Sequence, residues 1–215
     1  MSKMICVMGE SGSGKTTAMR TLDPATTYYI DCDRKGLAWK GWREQYNAEN
    51  KNFFQTRDLL KISAYLTNIA NNAPHIKTIV IDTLNTAMVD KEVKEMGNKD
   101  GYGKWVDLAQ YVWKICETAA TLREDLTVIV LMHSETVRDD LGYTFTRIKT
   151  NGRKLEKLVL ESLFTVVLLA KAKDDGSYIF ETKAKNSTAK TPMGAFDAEE
   201  IPNDMQAVLD ALAEY

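Results

Sequence analysis

Short apolar runs alternate with amphipathic stretches along most of the chain. Continuous apolar runs predict five buried strands, at residues 4–8, 27–30, 78–83, 127–132 and 164–169. Apolar positions at helical spacing predict helices at residues 58–71, 86–96, 105–123, 153–162 and 203–213. Strands that alternate with helices in this way form an α/β fold, with a mostly parallel sheet flanked by helices.

Two segments depart from this alternation. Within residues 34–53, Trp39, Trp42 and Tyr46 follow a helical spacing, which favours a helix packed on the core over a platform for stacking bases. Towards the C-terminus, residues 164–169 and 178–182 flank a polar turn at 173–176. That arrangement predicts an antiparallel hairpin.

Residues 9–16 read G-E-S-G-S-G-K-T, the P-loop form G-x-x-x-x-G-K-[ST], after a predicted strand and before a predicted helix at 17–22. The glycines let backbone N–H groups converge on phosphate oxygens at a helix N-terminus. Lys15 is then placed to reach the β- and γ-phosphates, and the Thr16 hydroxyl to hold Mg²⁺. We therefore predict a nucleoside triphosphate site that takes ATP and Mg²⁺. The predicted nucleotide-binding residues are Gly9, Glu10, Ser11, Gly12, Ser13, Gly14, Lys15, Thr16 and Thr17.

Acidic residues stand at the carboxyl ends of two predicted strands, where α/β sheets bind their ligands. Asp82 closes the strand at 78–83 in the Walker-B position, where it would help Thr16 hold Mg²⁺ through its water shell. Asp31 and Asp33 follow the strand at 27–30, and strand alternation would point both the same way. Either could orient the attacking water or bind a substrate hydroxyl, and a solvated strand-end turn is an equal alternative.

His133 follows the strand at 127–132. A polar side chain at that point could contact the γ-phosphate or relay its loss, and the alternative is a histidine that only caps the strand end. Metal ligands at suitable spacing are absent around it. Thr83 is predicted to be the N-cap of the next helix.

Residues 134–154 are predicted to form a long polar loop. From 141 to 157 the chain has five basic residues against one acid, a local charge of +4. Basic residues interleaved with aromatic rings suit single-stranded DNA, because cations meet phosphates while rings stack on bases. The predicted DNA-binding residues are Arg138, Tyr143, Phe145, Arg147 and Lys149. A mobile loop with its own hairpin at 143–146 is the alternative.

Two further polar segments could contact ligands. The glycine-rich loop at 97–104 could reach a polymer, although an ordinary surface connection fits equally well. Lys183 and Lys185 follow the C-terminal hairpin and would lie on one side of its strand if that strand continues. They could serve a phosphate, or they could be ordinary surface lysines.

Composition narrows the class of protein. The 215 residues are 44% hydrophobic and 27% charged, with a net charge of −2, which suits one α/β domain over residues 1–215 and argues against a uniformly basic surface. Three scattered cysteines, at positions 6, 32 and 116, indicate reduced core thiols and a cytoplasmic protein. An apolar run long enough to span a membrane is absent, as is a signal-peptide pattern, so no membrane contact is expected.

The order of these features resembles the RecA-type recombinase and ATPase core, most closely the small phage-encoded P-loop proteins that are little more than that core. The resemblance runs from residue 1 to about residue 196 and implies a single RecA-like ATPase domain. The P-loop is its specific part, and the other features are specific mainly through their order. The large extra domains of bacterial recombinases are missing, so independent strand exchange is not expected.

The resemblance also implies roles for particular residues. Asp33 takes the place of the family's water-polarising glutamate, and His133 that of the glutamine that couples the γ-phosphate to DNA. The family's two DNA loops correspond to about 97–104 and 134–152. Lys183 and Lys185 correspond to lysines that reach a neighbouring subunit's γ-phosphate, which implies a ring or filament of identical subunits.

Together these points predict an ATP-dependent, single-stranded-DNA-binding ATPase that assists recombination or annealing and hydrolyses ATP at subunit interfaces. A single-strand DNA-binding protein is a candidate protein partner, and the host cytoplasm is the expected location for a phage-encoded chain. A small-molecule or nucleotide kinase with a lid at 135–153 is one alternative. A nucleotide-gated adaptor of the helicase-loader type is another.

Overall fold

The computed structural model describes residues 1–95, 103–150 and 159–215. Its strands are β1 (Lys3–Gly9), β2 (Thr27–Asp31), β3 (Phe53–Gln55), β4 (Thr78–Asp82), β5 (Thr127–Arg138), β6 (Thr144–Ile148), β7 (Val166–Ala172), β8 (Tyr178–Glu181) and β9 (Glu200–Pro202). Its α-helices are α1 (Lys15–Ala18), α2 (Trp42–Gln45), α3 (Leu59–Asn72), α4 (Leu84–Glu95), α5 (Gly103–Ala120) and α6 (Met205–Ala211). Short 3₁₀ turns cover Met19–Thr21 and Leu160–Leu163.

The nine strands of the described residues form one sheet in the order β3-β2-β4-β5-β1-β7-β8-β9, with β6 paired to β5. The strands from β3 to β7 in that order pair in parallel, whereas β6, β8 and β9 pair antiparallel. The predicted α/β class, with a mostly parallel sheet, flanking helices and a C-terminal antiparallel hairpin of β7 and β8, is confirmed. This is a P-loop NTPase fold.

Both faces of the sheet are buried, which explains the continuous apolar runs. Alternate residues of β1 enter different hydrophobic clusters, so that Cys6 packs with α3 and α5 while Val7 packs with α6 and the start of the P-loop helix. Parallel pairing aligns the carboxyl ends of β1, β2, β4 and β5 at one edge. The register sets Gly9 opposite His133 and Asp31 opposite Asp82.

The longest segment at which the structure differs from the sequence prediction lies within residues 134–154. The strand predicted at 127–132 continues to Arg138, and Ser134–Arg138 pair antiparallel with β6. Residues 134–148 therefore form a β-hairpin, as the alternative prediction of a hairpin at 143–146 had it in part, and His133 lies within a strand rather than at its end. Residues 151–154 lie outside the described residues. The outer half of β5 is polar, so a search for continuous apolar runs does not detect it.

The aromatic segment packs on the core as predicted but does not form a long helix. Only Trp42–Gln45 is α-helical, and β3 follows unpredicted. Trp39 and Tyr46 instead pack edge-on against the Tyr29 ring, at centroid distances of 6.4 and 5.4 Å. A compact aromatic cluster, not helical periodicity, explains the spacing.

Two other helix predictions need correction. The helix predicted at 17–22 is a single α-turn, Lys15–Ala18, continued as a 3₁₀ turn. The start of the helix predicted at 153–162 and most of the loop predicted at 97–104 lie outside the described residues, and Leu160–Leu163 forms a 3₁₀ turn. Among the described residues, no helix is long and apolar enough to cross a membrane.

Candidate nucleotide site

The P-loop follows β1 directly, so its backbone begins at the carboxyl edge of the sheet. Lys15 is buried at the start of α1, and its Nζ donates to the carbonyl oxygens of Gly9 and Glu10, each at 2.7 Å. Burial lowers the pKa of Lys15 to about 8, with Lys35 adding to the effect and Asp82 opposing it. The lysine is thus held at the loop by weak carbonyl acceptors, which a phosphate could replace.

Two P-loop glycines are required by the local geometry. Gly14 has φ of 89°, a left-handed conformation, and a Cβ there would lie 2.7 Å from the Tyr178 ring of β8. At Gly9 a Cβ would lie 2.4 Å from the Ser13 hydroxyl and 2.8 Å from the Ala170 carbonyl of β7. The loop is therefore packed tightly against the C-terminal strands on one side.

Asp82 lies beside the P-loop at the end of β4 and is buried. Tyr29 donates its hydroxyl to Asp82 Oδ2 at 2.6 Å, Thr83 donates to Oδ1 at 2.9 Å, and the Thr16 hydroxyl also hydrogen-bonds this carboxylate. Burial raises the pKa of Asp82 although these three bonds oppose the shift. Thr83 directly precedes α4, but its hydroxyl serves Asp82.

This pair of oxygen donors suits Mg²⁺. One buried carboxylate next to a threonine hydroxyl matches a site in which substrate phosphates and water supply most of the ligands. A cluster of three or more acidic, histidine or cysteine side chains is not found in the part of the chain that the structure describes, so a separate all-protein metal site is not indicated there.

The structure separates the two acids that follow β2. Because β2 ends at Asp31, strand alternation does not extend to Asp33, and the prediction that both point the same way is wrong. Asp31 is buried and accepts hydrogen bonds from the backbone N–H of Arg34 at 2.8 Å, that of Gly36 at 3.2 Å, and Gln55 Nε2 at 2.8 Å. Its carboxylate is occupied in shaping the turn.

Asp33 instead lies beside the first turn of α4. Its carboxylate accepts the Thr86 hydroxyl of α4 and forms an ion pair with Lys35. Burial alone would raise the pKa of Asp33, but the bonds from Lys35 and Thr86 outweigh it and hold the pKa below its ordinary value. Asp33 is therefore ionised at neutral pH and is the better candidate to position a water.

His133 lies at the same level, half-buried, in the middle of β5. Burial lowers its pKa, and the nearby Lys15 lowers it further, so the imidazole is neutral at physiological pH. Its backbone is fixed from two sides: His133 N–H donates to Asn85 Oδ1 at 2.8 Å, and its carbonyl accepts Lys149 N–H at 2.8 Å.

Asn85, a buried residue in the first turn of α4, links the site to both strands of the β5–β6 hairpin. Its Oδ1 takes His133 N–H from β5, and its Nδ2 donates to the Lys149 carbonyl just after β6, at 2.8 Å. Thr86, its neighbour, contacts Asp33. One helical turn therefore contacts the candidate water-positioning acid and the base of the hairpin together.

The hairpin carries the residues predicted to bind DNA, but it presents them on different faces. Tyr143 is 71% exposed at the tip, next to Leu141 at 83%. In the cross-strand register Glu135 faces Arg147, and the two form an ion pair at 2.9 Å. Since side chains alternate along a strand, Arg138 lies on the face opposite to Phe145 and Arg147. Lys149 is exposed just beyond β6.

The base of the hairpin is held by the segment that follows β8. Thr146 N–H donates to the Asn186 carbonyl and Thr188 N–H to the Thr146 carbonyl, each at 2.8 Å. Glu161, buried, accepts both Ile148 N–H and the Thr188 hydroxyl at 3.0 Å. The hairpin is thus part of the sheet rather than a free lid.

Lys183 and Lys185 lie in that same segment. Because β8 ends at Glu181, they are not on a strand, and the alternation argument for their common side does not apply. Both are exposed, and Lys185 makes a long ion pair with Glu199, 3.4 Å apart, between two well-exposed side chains.

A cleft of about 290 Å³ lies between the P-loop, the hairpin base and β7. Ser13 and Ser134 line it, and their buried hydroxyls have no hydrogen-bond partner among the described residues. A polar cavity with two open hydroxyls beside a phosphate-binding loop is suited to a polar ligand group or water.

Sequence reasoning missed four residues of this site: Tyr29, Lys35, Asn85 and Thr86. Tyr29 reads as an ordinary aromatic strand residue, and Asn85 and Thr86 as the polar start of a helix. Their one available signal is position, since each lies within four residues of a strand end that was already assigned to the site.

A family model described as an AAA domain matches residues 1–193. The match takes in the P-loop, both strand-end acids, the β5–β6 hairpin and the segment after β8. No curated protein matches the chain.

Proposed function

The chain belongs to the AAA domain family of P-loop ATPases, and from that premise we propose that it is a Mg²⁺-dependent ATPase that binds single-stranded DNA. Its role would be to assist recombination or annealing, in the manner of a minimal RecA-type protein. The observation that carries the DNA part is the continuity of β5, which runs from the nucleotide site into the exposed hairpin.

In this proposal each residue of the candidate nucleotide site has a chemical role. P-loop N–H groups and Lys15 bind the phosphates, and Lys15 exchanges its carbonyl acceptors at Gly9 and Glu10 for phosphate oxygens. Thr16 and Asp82 hold Mg²⁺, which when bound neutralises charge that develops on the phosphates. Asp33 orients the water and accepts its proton.

Hairpin geometry supports coupling between nucleotide and DNA. His133 would contact the γ-phosphate from β5, five residues before Arg138 on the same strand. Asn85 hydrogen-bonds both hairpin strands at this level, so a shift of His133 or α4 moves the hairpin base as one unit. Tyr143 and Arg138 would then contact bases and phosphates.

A second part of the proposal concerns neighbouring subunits. Lys183 and Lys185 are exposed, Lys185 is weakly paired with Glu199, and the segment that carries both lysines hydrogen-bonds β6. In a ring or filament these lysines would reach the γ-phosphate of an adjacent copy and link its state to their own hairpin. A single-strand DNA-binding protein remains the proposed accessory partner.

The kinase alternative is not favoured by a specific observation. Its candidate lid, 135–153, contains a hairpin whose base is tied to α4 and to the segment after β8. Two arginines of that range are also engaged, Arg138 with the Gly142 carbonyl at 3.0 Å and Arg147 with Glu135, and Arg153 lies outside the described residues.

The decisive experiment measures ATP turnover with and without single-stranded DNA, together with subunit mass by light scattering. We expect Mg²⁺-dependent phosphate release that DNA stimulates, and assembly that needs ATP. Turnover indifferent to DNA, with no ATP-dependent DNA binding in low salt, contradicts the proposal. A phosphorylated small molecule would identify a kinase. A Lys15→Ala variant that keeps its protein partner and biological role would identify an adaptor.

DNA contact is tested at the hairpin with Tyr143→Ala and Arg138→Ala, and with Lys61→Ala on α3 as the charge-matched control. Stacking is worth about 1–3 kcal/mol per base, so Tyr143→Ala should weaken DNA binding about 5- to 150-fold. Arg138→Ala should reduce the slope of log K against log salt by about 0.7. Equal effects of all three variants on DNA binding would contradict the proposal that the hairpin binds DNA.

A further inference from the structure

The turn after β2 holds Lys35 beside Asp33, in a defined position. The Asp31 carboxylate accepts hydrogen bonds from the backbone N–H groups of Arg34 and Gly36, which fixes the backbone of the turn. Arg57, which precedes α3, donates from Nη2 to the Asp33 carbonyl at 2.9 Å and also holds the turn. Two hydrogen bonds to Asp31 and two from Arg57 therefore fix residues 32–36.

The backbone of this turn is unusual for its sequence. Arg34 has φ of 59°, in the left-handed region, which is strained for a residue with a Cβ. Such a conformation persists where surrounding bonds impose it, and it is frequent at ligand-binding sites. Here its consequence is to direct the next residue, Lys35, back towards Asp33.

Lys35 is a second lysine of the candidate site, and its bond with Asp33 raises the pKa of its ammonium. Its side chain is 68% exposed and its ammonium pairs with Asp33, whose side chain is 10% exposed. The Asp33 carboxylate that binds Lys35 also accepts the Thr86 hydroxyl, and the neighbouring Asn85 accepts His133 N–H, so the Lys35 ammonium lies at the edge of the sheet that carries the P-loop. A phosphate that enters beside Asp33 would offer Lys35 a second anionic partner.

The ion pair also occupies the group that hydrolysis needs. Asp33 accepts from Lys35 and from Thr86, so its carboxylate is engaged while Lys35 stays in place. Only the Lys35 side of this arrangement is exposed and free to move, because Thr86 belongs to α4.

We propose that Lys35 is a catalytic residue that exchanges Asp33 for the γ-phosphate of bound ATP and so releases Asp33 to act on the attacking water. The inference rests on the proposed ATPase function and deepens it. ADP lacks a γ-phosphate, so in the product complex Lys35 returns to Asp33 and the Asp33 carboxylate is engaged again.

The reaction then balances as follows. A water oxygen forms a bond to the γ-phosphorus while the bond between that phosphorus and the β–γ bridging oxygen breaks, and its electron pair stays on the β-phosphate of ADP. The water proton passes to the Asp33 carboxylate. Lys35 offsets the negative charge of the transferred phosphoryl group, and Lys15 that of the leaving oxygen.

The test compares Lys35→Ala and Lys35→Arg with Lys40→Ala, an exposed lysine on the same loop that serves as the charge control. We expect Lys35→Ala to lower kcat about 10²- to 10³-fold, the usual effect of removing one charge-stabilising donor. Binding of a non-hydrolysable ATP analogue should weaken, while ADP binding stays within twofold. Lys35→Arg should restore part of kcat, and Lys40→Ala should match the wild type.

Three results would overturn the inference. A Lys35→Ala variant that turns over at the wild-type rate, or faster, would make Lys35 only an ion-pair partner of Asp33. Equal losses of analogue and ADP affinity would mean general attraction rather than a γ-phosphate contact. A fall in thermal stability of more than a few degrees would indicate a structural role, since an ion pair with one well-exposed partner contributes little to stability.

The outcomes separate the two proposals. If the wild-type protein does not hydrolyse ATP, the proposed function fails, and the comparison of analogue with ADP still reports on Lys35. If the wild type hydrolyses ATP and Lys35→Ala does so equally well, only the inference about Lys35 fails.

Discussion

The hydrogen bond from Tyr29 to Asp82 offers a single-atom test of the site. Tyr29 is fully buried in β2, and its hydroxyl donates to Asp82 Oδ2 at 2.6 Å. Tyr29→Phe removes that oxygen and keeps the ring, so the packing against Trp39, Tyr46 and Phe53 survives. What is lost is one donor to a buried carboxylate.

The expected magnitude follows from the burial of the acceptor. A hydrogen bond to a charged group contributes about 1.5–3 kcal/mol, and water cannot readily replace the donor at a buried carboxylate. For a chain of this size 1 kcal/mol shifts Tm by about 2–4 °C, so Tyr29→Phe should lower Tm by about 3–12 °C. If Asp82 holds Mg²⁺, loss of its supporting donor should raise the Mg²⁺ concentration for half-maximal turnover about 10- to 100-fold.

Calorimetry and a Mg²⁺ titration of ATP turnover measure the two effects. Tyr28→Phe is the matched control, because Tyr28 is the preceding residue of β2, faces the opposite side, and its hydroxyl has no hydrogen bond to any residue that the structure describes. It should change stability by no more than about 0.5 kcal/mol. Equal Tm values for Tyr29→Phe and wild type would refute the structural reasoning, and an unchanged Mg²⁺ requirement would remove Asp82 from the metal site.

Three further predictions use other parts of the fold. Gly9→Ala should cost about 1–3 kcal/mol and weaken ADP binding, because its Cβ would meet the Ala170 carbonyl at 2.8 Å. Gly12→Ala should cost about 1–2 kcal/mol by thermal melting, since its φ of 82° is strained for alanine but a Cβ there meets nothing within 4 Å; a larger loss than at Gly9 would contradict the packing argument. Asn85→Ala should keep basal ATP turnover within about threefold but lose its stimulation by DNA, whereas loss of both together would indicate a purely structural residue. Burial raises the pKa of Cys116 to about 12, so the thiol is protonated at pH 8. An alkylating reagent at pH 8 should therefore label Cys116 only after unfolding. Rapid labelling of the native protein would contradict the burial of this thiol.

Sequence reasoning succeeded where a feature is local in the chain. The strands at 4–8, 78–83 and 164–169 are apolar on both faces, so a continuous run identifies them without knowledge of their neighbours. The P-loop is eight consecutive residues, and the strand before it and the helical turn after it are also local.

It failed where a residue's surroundings come from another element. The outer half of β5 is polar because it leaves the buried sheet, and it is a strand only because β6 pairs with it. Asp31 is the last residue of β2 and Asp33 lies two residues beyond it, and the backbone turn that separates them depends on Gln55 of β3 and Arg57 before α3. Neither partner can be recognised from the acids themselves.

The sequence by itself therefore determined the fold class, the P-loop and the acid at the end of β4, because these depend on short-range pattern and on the common edge at which parallel strands end. Tertiary structure decided which acid lies beside α4, that Tyr29 supports Asp82, and that Asn85 joins the site to the hairpin. Those contacts link residues about 50 or more positions apart, such as Tyr29 with Asp82 and Asn85 with Lys149. A side chain's partner across such a distance is set by sheet register and helix packing, which only the folded chain supplies.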